Sequence, residues 1–306
     1  MSSCSARLDL SKMVKSKKGA IGFMVLSPPE SLYRDLLELA LREDMQGGDI
    51  TTMACVPADV IAVGSICTRQ QAVVCGGFLV RSICRRIDPE FEVKSYQEEG
   101  VKASAGSILW SLRGRACSLL MAERVLLNFV QRLMGIATLT RTYVDALPSG
   151  SPTRIADTRK TTPGFRLLER YAVRVGGGYN HRDNLTAGVL IKDNHIAACG
   201  GIRQAVERAK RGAPHLCHIA CELDRLDQIE EALGAGADVL LLDNMDSVQI
   251  AEGIRMVQKR ACVEVSGGVT LESVSELARI GVDVISVGAL THSAPAIDVG
   301  LDFDFS

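Results

Sequence analysis

The chain has 306 residues, 47% of them hydrophobic and 23% charged, with a formal net charge of -1. That length holds one large or two modest domains with real cores, and the near-neutral balance gives no basis for a nucleic-acid or membrane partner. No apolar run approaches the roughly 20 residues of a membrane helix, and the ten cysteines include no CxxC pair, which points to reduced thiols in the cytoplasm.

Residues 1–26 carry Lys12, Lys15, Lys17 and Lys18, then a short apolar piece that runs into Pro28-Pro29 without a cleavage pattern. This reads as a flexible tail rather than a signal peptide. Apolar spacing from Leu32 to Leu41 predicts a helix over 31–41 with Ser31 as its N-cap, stopped by the Gly47-Gly48-Asp49 turn. Short strands are expected at 60–68, 72–74, 91–96 and 108–113, between glycine-bearing turns. A second helix is expected over 118–134, where Leu119, Ala122, Val125, Leu126, Phe129, Val130 and Leu133 share a face. Arg124 lies on its polar edge. Residues 27–134 therefore read as a mixed α/β domain.

Beyond Gly135 short apolar strands alternate with helical stretches. Strands are expected at 154–156, 173–175, 190–191, 219–221, 239–242, 263–265 and 284–287, each running into a polar residue or glycine. The later period is roughly 21 to 23 residues, one βα unit. Segments 235–244 (AGADVLLLDN) and 280–289 (IGVDVISVGA) echo each other as helix end, glycine turn and strand. A β/α barrel over 135–290 is favoured over an open doubly wound sheet. Polar groups arrive at successive strand ends, where barrels gather function, rather than at one switch point.

Those strand ends form one chemical inventory. Residues 156–195 concentrate Arg159, Lys160, His181, Arg182 and Lys192 on a neutral background, which suits a small, multiply anionic ligand. Glu222 and Asp243 suit ribose hydroxyls and Mg²⁺, which shares oxygen ligands with substrate phosphates. The Ser266-Gly267-Gly268 turn and Gly288 expose backbone N–H groups suited to a phosphate monoester. Each piece also has an ordinary reading. Ser-Gly-Gly alone is a turn, Asp243-Asn244 a helix cap, Lys192-Asp193 a surface ion pair, His181 a cap, and Arg124 a solvated helix residue. Arg166, Glu169, Arg170 and Arg174 fall at helical spacing and read as a solvated face outside the site. Glu43, Asp44 and Asp49 read as a helix stop. Cys217 and Cys221 bracket His218 in an apolar, strand-like stretch and read as buried, reduced thiols rather than metal ligands. The inference rests on the ensemble.

Six segments sharpen it: TRKTTPG (158–164), the His-Arg pair of YNHRDNL (179–185), IKDNH (191–195), LLDN (241–244), SGG (266–268) and DVISVGALTHSAPAIDVGLDF (283–303). Together with LREDMQGGDITT (41–52) and AERVLLNFVQRLMGIAT (122–138), they resemble the quinolinate phosphoribosyltransferase family over nearly the whole chain. The resemblance implies a mixed α/β N-terminal domain joined to an incomplete, six-stranded β/α barrel, with 291–306 returning to the first domain. It implies transfer of a phosphoribosyl group from 5-phosphoribosyl 1-pyrophosphate to quinolinate with decarboxylation, in NAD biosynthesis. It also implies Mg²⁺ and a homodimer, sometimes assembled further, whose sites are shared between subunits.

Carried onto matching positions, Arg124 reaches the partner's site, and Arg159, His181 and Arg182 hold the quinolinate carboxylates. Lys160 and Lys192 lie between quinolinate and pyrophosphate. Glu222 and Asp243 address ribose and Mg²⁺, while Ser266, Gly267, Gly268 and Gly288 hold the 5-phosphate. Lys160, Lys192, Glu222 and Asp243 are the catalytic candidates. One departure stands out: Ala220 occupies a position where the family usually has a second Glu beside the one at Glu222. Two rivals remain, a related protein of the molybdenum-transport type and a non-catalytic sensor of phosphate ligands on the same barrel. The Asn180-His181-Arg182…Leu185 motif favours quinolinate over the first, and the full cage of charges weighs against the second.

Overall fold

The structure is a computed structural model, and it describes residues 25–304. Residues 1–24 of the expected tail lie outside the described residues. The first half contains α1 (Arg34–Met45), α2 (Ile50–Cys55), β1 (Ile61–Thr68), β2 (Ala72–Val73), α3 (Gly77–Ile87), β3 (Glu92–Ser95), β4 (Lys102–Ala103), β5 (Ile108–Arg115) and α4 (Ala116–Asp145). The second half contains β6 (Arg154–Ala156), α5 (Arg166–Val175), β7 (Val189–Ile191), α6 (Asp193–Cys199), α7 (Ile202–Gly212), β8 (Ile219–Leu223), α8 (Ile229–Ala235) and β9 (Val239–Asp243). The chain then passes through α9 (Ser247–Val257), β10 (Cys262–Ser266), α10 (Leu271–Ile280), β11 (Val284–Ser286), α11 (Ala289–His292) and β12 (Val299–Asp304).

Local chemistry explains where these elements depart from expectation. Ser31 does not cap the first helix. It falls within a 3-10 turn, Glu30–Leu32, and Tyr33 takes the N-cap position of α1. The turn is held by Glu30, whose carboxylate pairs with Arg86 of α3 at 2.7 Å. Asp49 does more than end a helix: it caps α2 by accepting from the Thr52 amide at 3.0 Å. Helix α3 was not anticipated. Its glycine N-cap gives no polar start signal, although Arg81 and Arg85 stand exposed at i, i+4 opposite its buried apolar face. The Glu99 carboxylate supplies the cap instead, accepting from Gly76 and Gly77 amides.

Helix α4 runs 11 residues past the expected end at 134 and carries the chain from the first half into the second. At Gly135 the chain 295–296 crosses so closely that any Cβ would overlap the Pro295 carbonyl. That crossing leads into β12, which pairs antiparallel with β1. The resulting four-stranded sheet has the order β12-β1-β5-β3. Trp110, Leu109 and Leu112 of β5 are buried in its core together with Leu119, Leu126 and Leu133 of α4.

The second sheet is parallel, with six strands in the order β6-β11-β10-β9-β8-β7 and helices between them. This is the expected incomplete β/α barrel, with β6 and β7 at its two open edges. The expected strand at 173–175 is instead the last turn of α5. Leu168, Tyr171, Ala172 and Val175 form its buried stripe, so helical burial overrides the strand propensity of the two valines. The edge role falls to Tyr179, which makes one parallel bridge to Ala156. Among the described residues, no helix is long and apolar enough to cross a membrane.

Beneath the first sheet, buried Asp88 accepts from Arg115 Nε at 2.9 Å and from Ser118 Oγ at 2.9 Å. The Arg115 hydrogen bond, opposed by desolvation and helped by Ser118, holds its carboxyl below the usual range. A depressed folded pKa stabilises the fold above the unfolded value near pH ~4 and is lost as pH falls through the folded value. Asp88→Asn should therefore lower stability at neutral pH and flatten its acid dependence. Urea midpoints measured from neutral pH down into the acid range check this; parallel curves for the two proteins would refute it.

Candidate active site

The side chains at the C-terminal ends of the parallel strands line one cavity of about 510 Å³. Strand alternation turns every second residue inward, so each strand delivers one or two groups. Arg159 and Lys160 follow β6, Lys192 follows β7, and Glu222 lies on β8. Asp243 ends β9, Ser266-Gly267-Gly268 follow within and after β10, and Gly288 opens α11. His181 and Arg182 enter across the gap between β6 and β7. Eleven of the twelve predicted site residues thus meet at one rim. Arg124 is the exception: it lies exposed on α4, outside the cavity of its own chain.

The cationic side is braced from beneath. Asp157 is fully buried at the end of β6 and accepts from Asn180 Nδ2 at 2.6 Å and from the His181 amide at 2.7 Å. Burial raises its pKa, against the pull of the Arg170 charge and these hydrogen bonds. Arg170 bridges Asp157 at 3.3 Å and Asp183 at 2.7 Å. Glu169, fully buried, accepts from Arg132 of α4 at 2.8 Å and from the Thr162 amide at 3.0 Å. Glu169 and Arg170 are therefore not a solvated face. They tie the 158–164 loop and the 180–183 turn to α4 and α5, and sequence spacing missed them because a buried ion pair has the same helical period as an exposed one.

Two guanidiniums are left without protein partners at Nε: the Nε atoms of Arg159 and Arg182 are both buried and unbonded among the described residues. Arg182 Nη1 donates to the Gly188 carbonyl at 3.0 Å. Burial, and then the neighbouring Arg159 charge, hold the Arg182 pKa below its ordinary value. Buried donors are rarely left empty in a native protein. Two neighbouring guanidiniums, each with an unbonded buried Nε, suit anionic ligand oxygens.

The opposite side holds the carboxylates and the bare turns. Lys192 Nζ pairs with Glu222 at 2.5 Å, so the ordinary alternative of a surface pair with Asp193 does not hold. Asp243 accepts from Ser266 Oγ at 2.7 Å and from Asn244 Nδ2 at 2.8 Å, which locks the β9 end to the β10 end. Gly267 and Gly268 have φ of +82° and +61°, a left-handed region that side chains disfavour. A Cβ at Gly267 would also overlap the Asn244 amide oxygen, so this turn must stay bare. Ala220 lies on the Glu222 side of β8, one pleat lower, and is buried.

Four polar cavity residues were not among the predicted site residues: Thr158, Glu264, Ser286 and His292. Glu264 and Ser286 were findable. Glu264 stands two residues before Ser266 and so shares its face, and Ser286 stands two before Gly288. His292 is four residues after Gly288 on α11, with no periodic signal in so short a helix.

The family model described as the quinolinate phosphoribosyl transferase C-terminal domain matches residues 136–302, and that of the N-terminal domain matches 49–134. The chain belongs to the quinolinate phosphoribosyltransferase family. It is 41% identical to the nicotinate-nucleotide pyrophosphorylase [carboxylating] of Mycobacterium leprae over 279 residues, covering 88% of this chain and 96% of that one. It is 38% identical to the probable nicotinate-nucleotide pyrophosphorylase [carboxylating] of Bacillus subtilis, covering 89% and 94% of the two chains. Among solved structures, NadC from Streptococcus pyogenes superposes with a TM-score of 0.88 at 36% identity, covering 92% of this chain and 99% of that one. A quinolinate phosphoribosyltransferase has to hold a dicarboxylate beside a sugar pyrophosphate, and the cavity divides accordingly into an unpaired cationic side and a carboxylate-and-turn side.

Proposed function

We propose that the protein transfers the phosphoribosyl group of 5-phosphoribosyl 1-pyrophosphate to quinolinate and releases pyrophosphate and CO₂, giving nicotinate mononucleotide for NAD biosynthesis. The observation that carries this reading is the pair of buried, unbonded Nε atoms of Arg159 and Arg182 in a cavity that also holds Glu222, Asp243 and the bare Gly267-Gly268 turn. Two cations there select for two ring carboxylates. A monocarboxylate such as nicotinate leaves one fork empty and binds less well.

Asp243 and Glu222 lie on neighbouring strands, where they meet the ribose hydroxyls. Amides of the Ser266-Gly267-Gly268 turn and the start of α11 hold the 5-phosphate. As pyrophosphate leaves, positive charge develops at ribose C1, and the two carboxylates favour it while Lys160 and Lys192 favour the departing anion. The pyridine nitrogen of quinolinate attacks C1 and becomes cationic. The bond from ring carbon 2 to its carboxylate then breaks; its electron pair stays on that carbon beside the positive nitrogen, and a proton from water replaces the lost CO₂. His181, Arg159 and Arg182 fix the ring so that nitrogen faces C1.

Mg²⁺ fits this donor set only as an ion shared with substrate. No group of three or more His, Cys, Asp or Glu able to hold a metal occurs among the described residues. Glu222 and Asp243 supply hard oxygens, and substrate oxygens and water complete the shell. When bound, such an ion neutralises pyrophosphate charge. A homodimer is part of the same reading, with Arg124 of each subunit reaching the other's cavity. The cytoplasm is the compartment assigned, on the cysteine usage.

The test supplies purified protein with quinolinate labelled at its 2-carboxylate, 5-phosphoribosyl 1-pyrophosphate and Mg²⁺. Stoichiometric release of labelled CO₂ and nicotinate mononucleotide is the expected outcome. Absence of both, with correctly folded protein, would overturn the reading.

A further inference from the structure

Glu264 is the cavity group that the reaction above leaves without a task. It stands on β10 two residues before Ser266, and strand alternation turns both toward the cavity. Only 5% exposed, it places a carboxylate on the floor of a cavity that attracts anions. A buried charge of this kind persists when it is paired and hydrogen-bonded. Its Oε1 has two partners. Ser286 of the neighbouring β11 donates its hydroxyl, and His181 Nε2 lies 3.5 Å away. On the other edge of the ring, His181 Nδ1 accepts from the Arg182 amide at 2.7 Å. An imidazole that accepts at Nδ1 carries its hydrogen at Nε2, the edge that here lies 3.5 Å from Glu264.

His181 is therefore hydrogen-bonded at its backbone amide to Asp157 and at Nδ1 to the Arg182 amide, while its Nε2 edge faces Glu264 across a 3.5 Å contact. We propose that Glu264 is a positioning residue for the aromatic diacid: acting through His181, it fixes the ring's tautomer and orientation, and with them the Arg182 turn. The proposal rests on the reading of the cavity as a quinolinate site. Ser286 in turn orients Glu264. The effect falls on quinolinate rather than on the sugar pyrophosphate, because the Asp243–Ser266 pair on the opposite side is held independently at 2.7 Å.

The test measures Michaelis constants for both substrates in the full-length enzyme carrying Glu264→Leu or Glu264→Gln, each also in a His181→Ala background. Glu264→Leu should raise the quinolinate constant about tenfold and leave the other within about twofold, because it leaves the Ser286 hydroxyl without its acceptor and the Nε2 edge of His181 without a polar neighbour. Glu264→Gln keeps an acceptor for the Ser286 hydroxyl and a carbonyl oxygen facing His181 Nε2, and should recover to within about threefold. In the His181→Ala background Glu264→Leu should add less than about twofold, since its partner is gone. Additive effects, equal rises in both constants, or a Gln variant as poor as Leu would each overturn the proposal. Should Glu264→Leu fail to fold, Ser286→Ala reads the same coupling with a rise of about threefold, and no rise there counts against it.

Ring geometry is also measurable without turnover. Nitrogen-15 spectra of the free protein, with the His181 signal identified by its loss in His181→Ala, should show the Nε2-protonated tautomer. An Nδ1-protonated ring would overturn the positioning role. A parent enzyme inert toward quinolinate would remove the functional reading while leaving this measurement intact, so the two failures are distinguishable.

Discussion

Arg182→Ala should weaken quinolinate binding about a hundredfold while leaving the unliganded protein at least as heat-stable as its parent; the loss is that expected for a desolvated charge pair. The two halves of this outcome share one cause. In the free protein Arg182 is half-buried beside Arg159, its Nε is unbonded, and burial and the like charge both work against its ionised form. Removing it relieves that cost and gives up only the contact to the Gly188 carbonyl, which water replaces in its partly exposed loop. With ligand present the balance inverts, because the guanidinium then meets a carboxylate in a site shielded from water. Melting curves with and without quinolinate check both halves. The variant should lose the ligand-induced rise, and a lower melting point without ligand would refute the stored-cost argument.

Mixing two inactive variants should restore about a quarter of parental activity if sites are shared across a twofold dimer. Arg124→Ala removes the group proposed to reach the partner's cavity, and Lys192→Ala removes one from its own. Random exchange at equal concentrations makes half the dimers mixed, and each mixed dimer has one site with both residues intact and one with neither. The geometric basis is plain: Lys192 lines the cavity, while Arg124 is exposed on α4 outside it. Activity after exchange, with mixed dimers counted by mass spectrometry, decides the matter. No recovery despite mixed dimers would place the Arg124 effect within its own chain.

Much of the barrel was legible because parallel strands buried between helices write themselves as apolar runs, and the polar residue after each run marks the rim. Leu240, Leu242, Val263, Val265 and Ile285 are all buried where such runs predict. Legibility failed where local start and propensity signals were missing or misleading. Helix α3 begins at glycines, with no polar residue of its own to mark its start, and Val173–Val175 carries strand formers into a helix end. It failed again for charged residues that fold inward. Glu169 and Arg170 have the spacing of a surface helix, and only their partners Arg132, Asp157 and Asp183 show that they brace the site.

The covalent chain by itself narrowed the kind of ligand. Arginines, lysines, carboxylates and bare glycine turns carry their charge, donors and shape wherever they are placed, and their occurrence at successive strand ends already pointed to a multiply anionic ligand with a phosphate and a diol, which the family resemblance then resolved into a diacid and a sugar pyrophosphate. What only the tertiary structure decided is which of these groups are neighbours and which remain unpaired. The sheet order inserts β11 beside β6, so that Gly288 comes against the Lys160 side chain although 128 positions separate them. It also leaves a gap at β6 and β7 through which Arg182 enters next to Arg159. Pairing and desolvation depend on distance in space, so local sequence could not tell Lys192, already bonded to Glu222, from the two arginines that wait for a ligand.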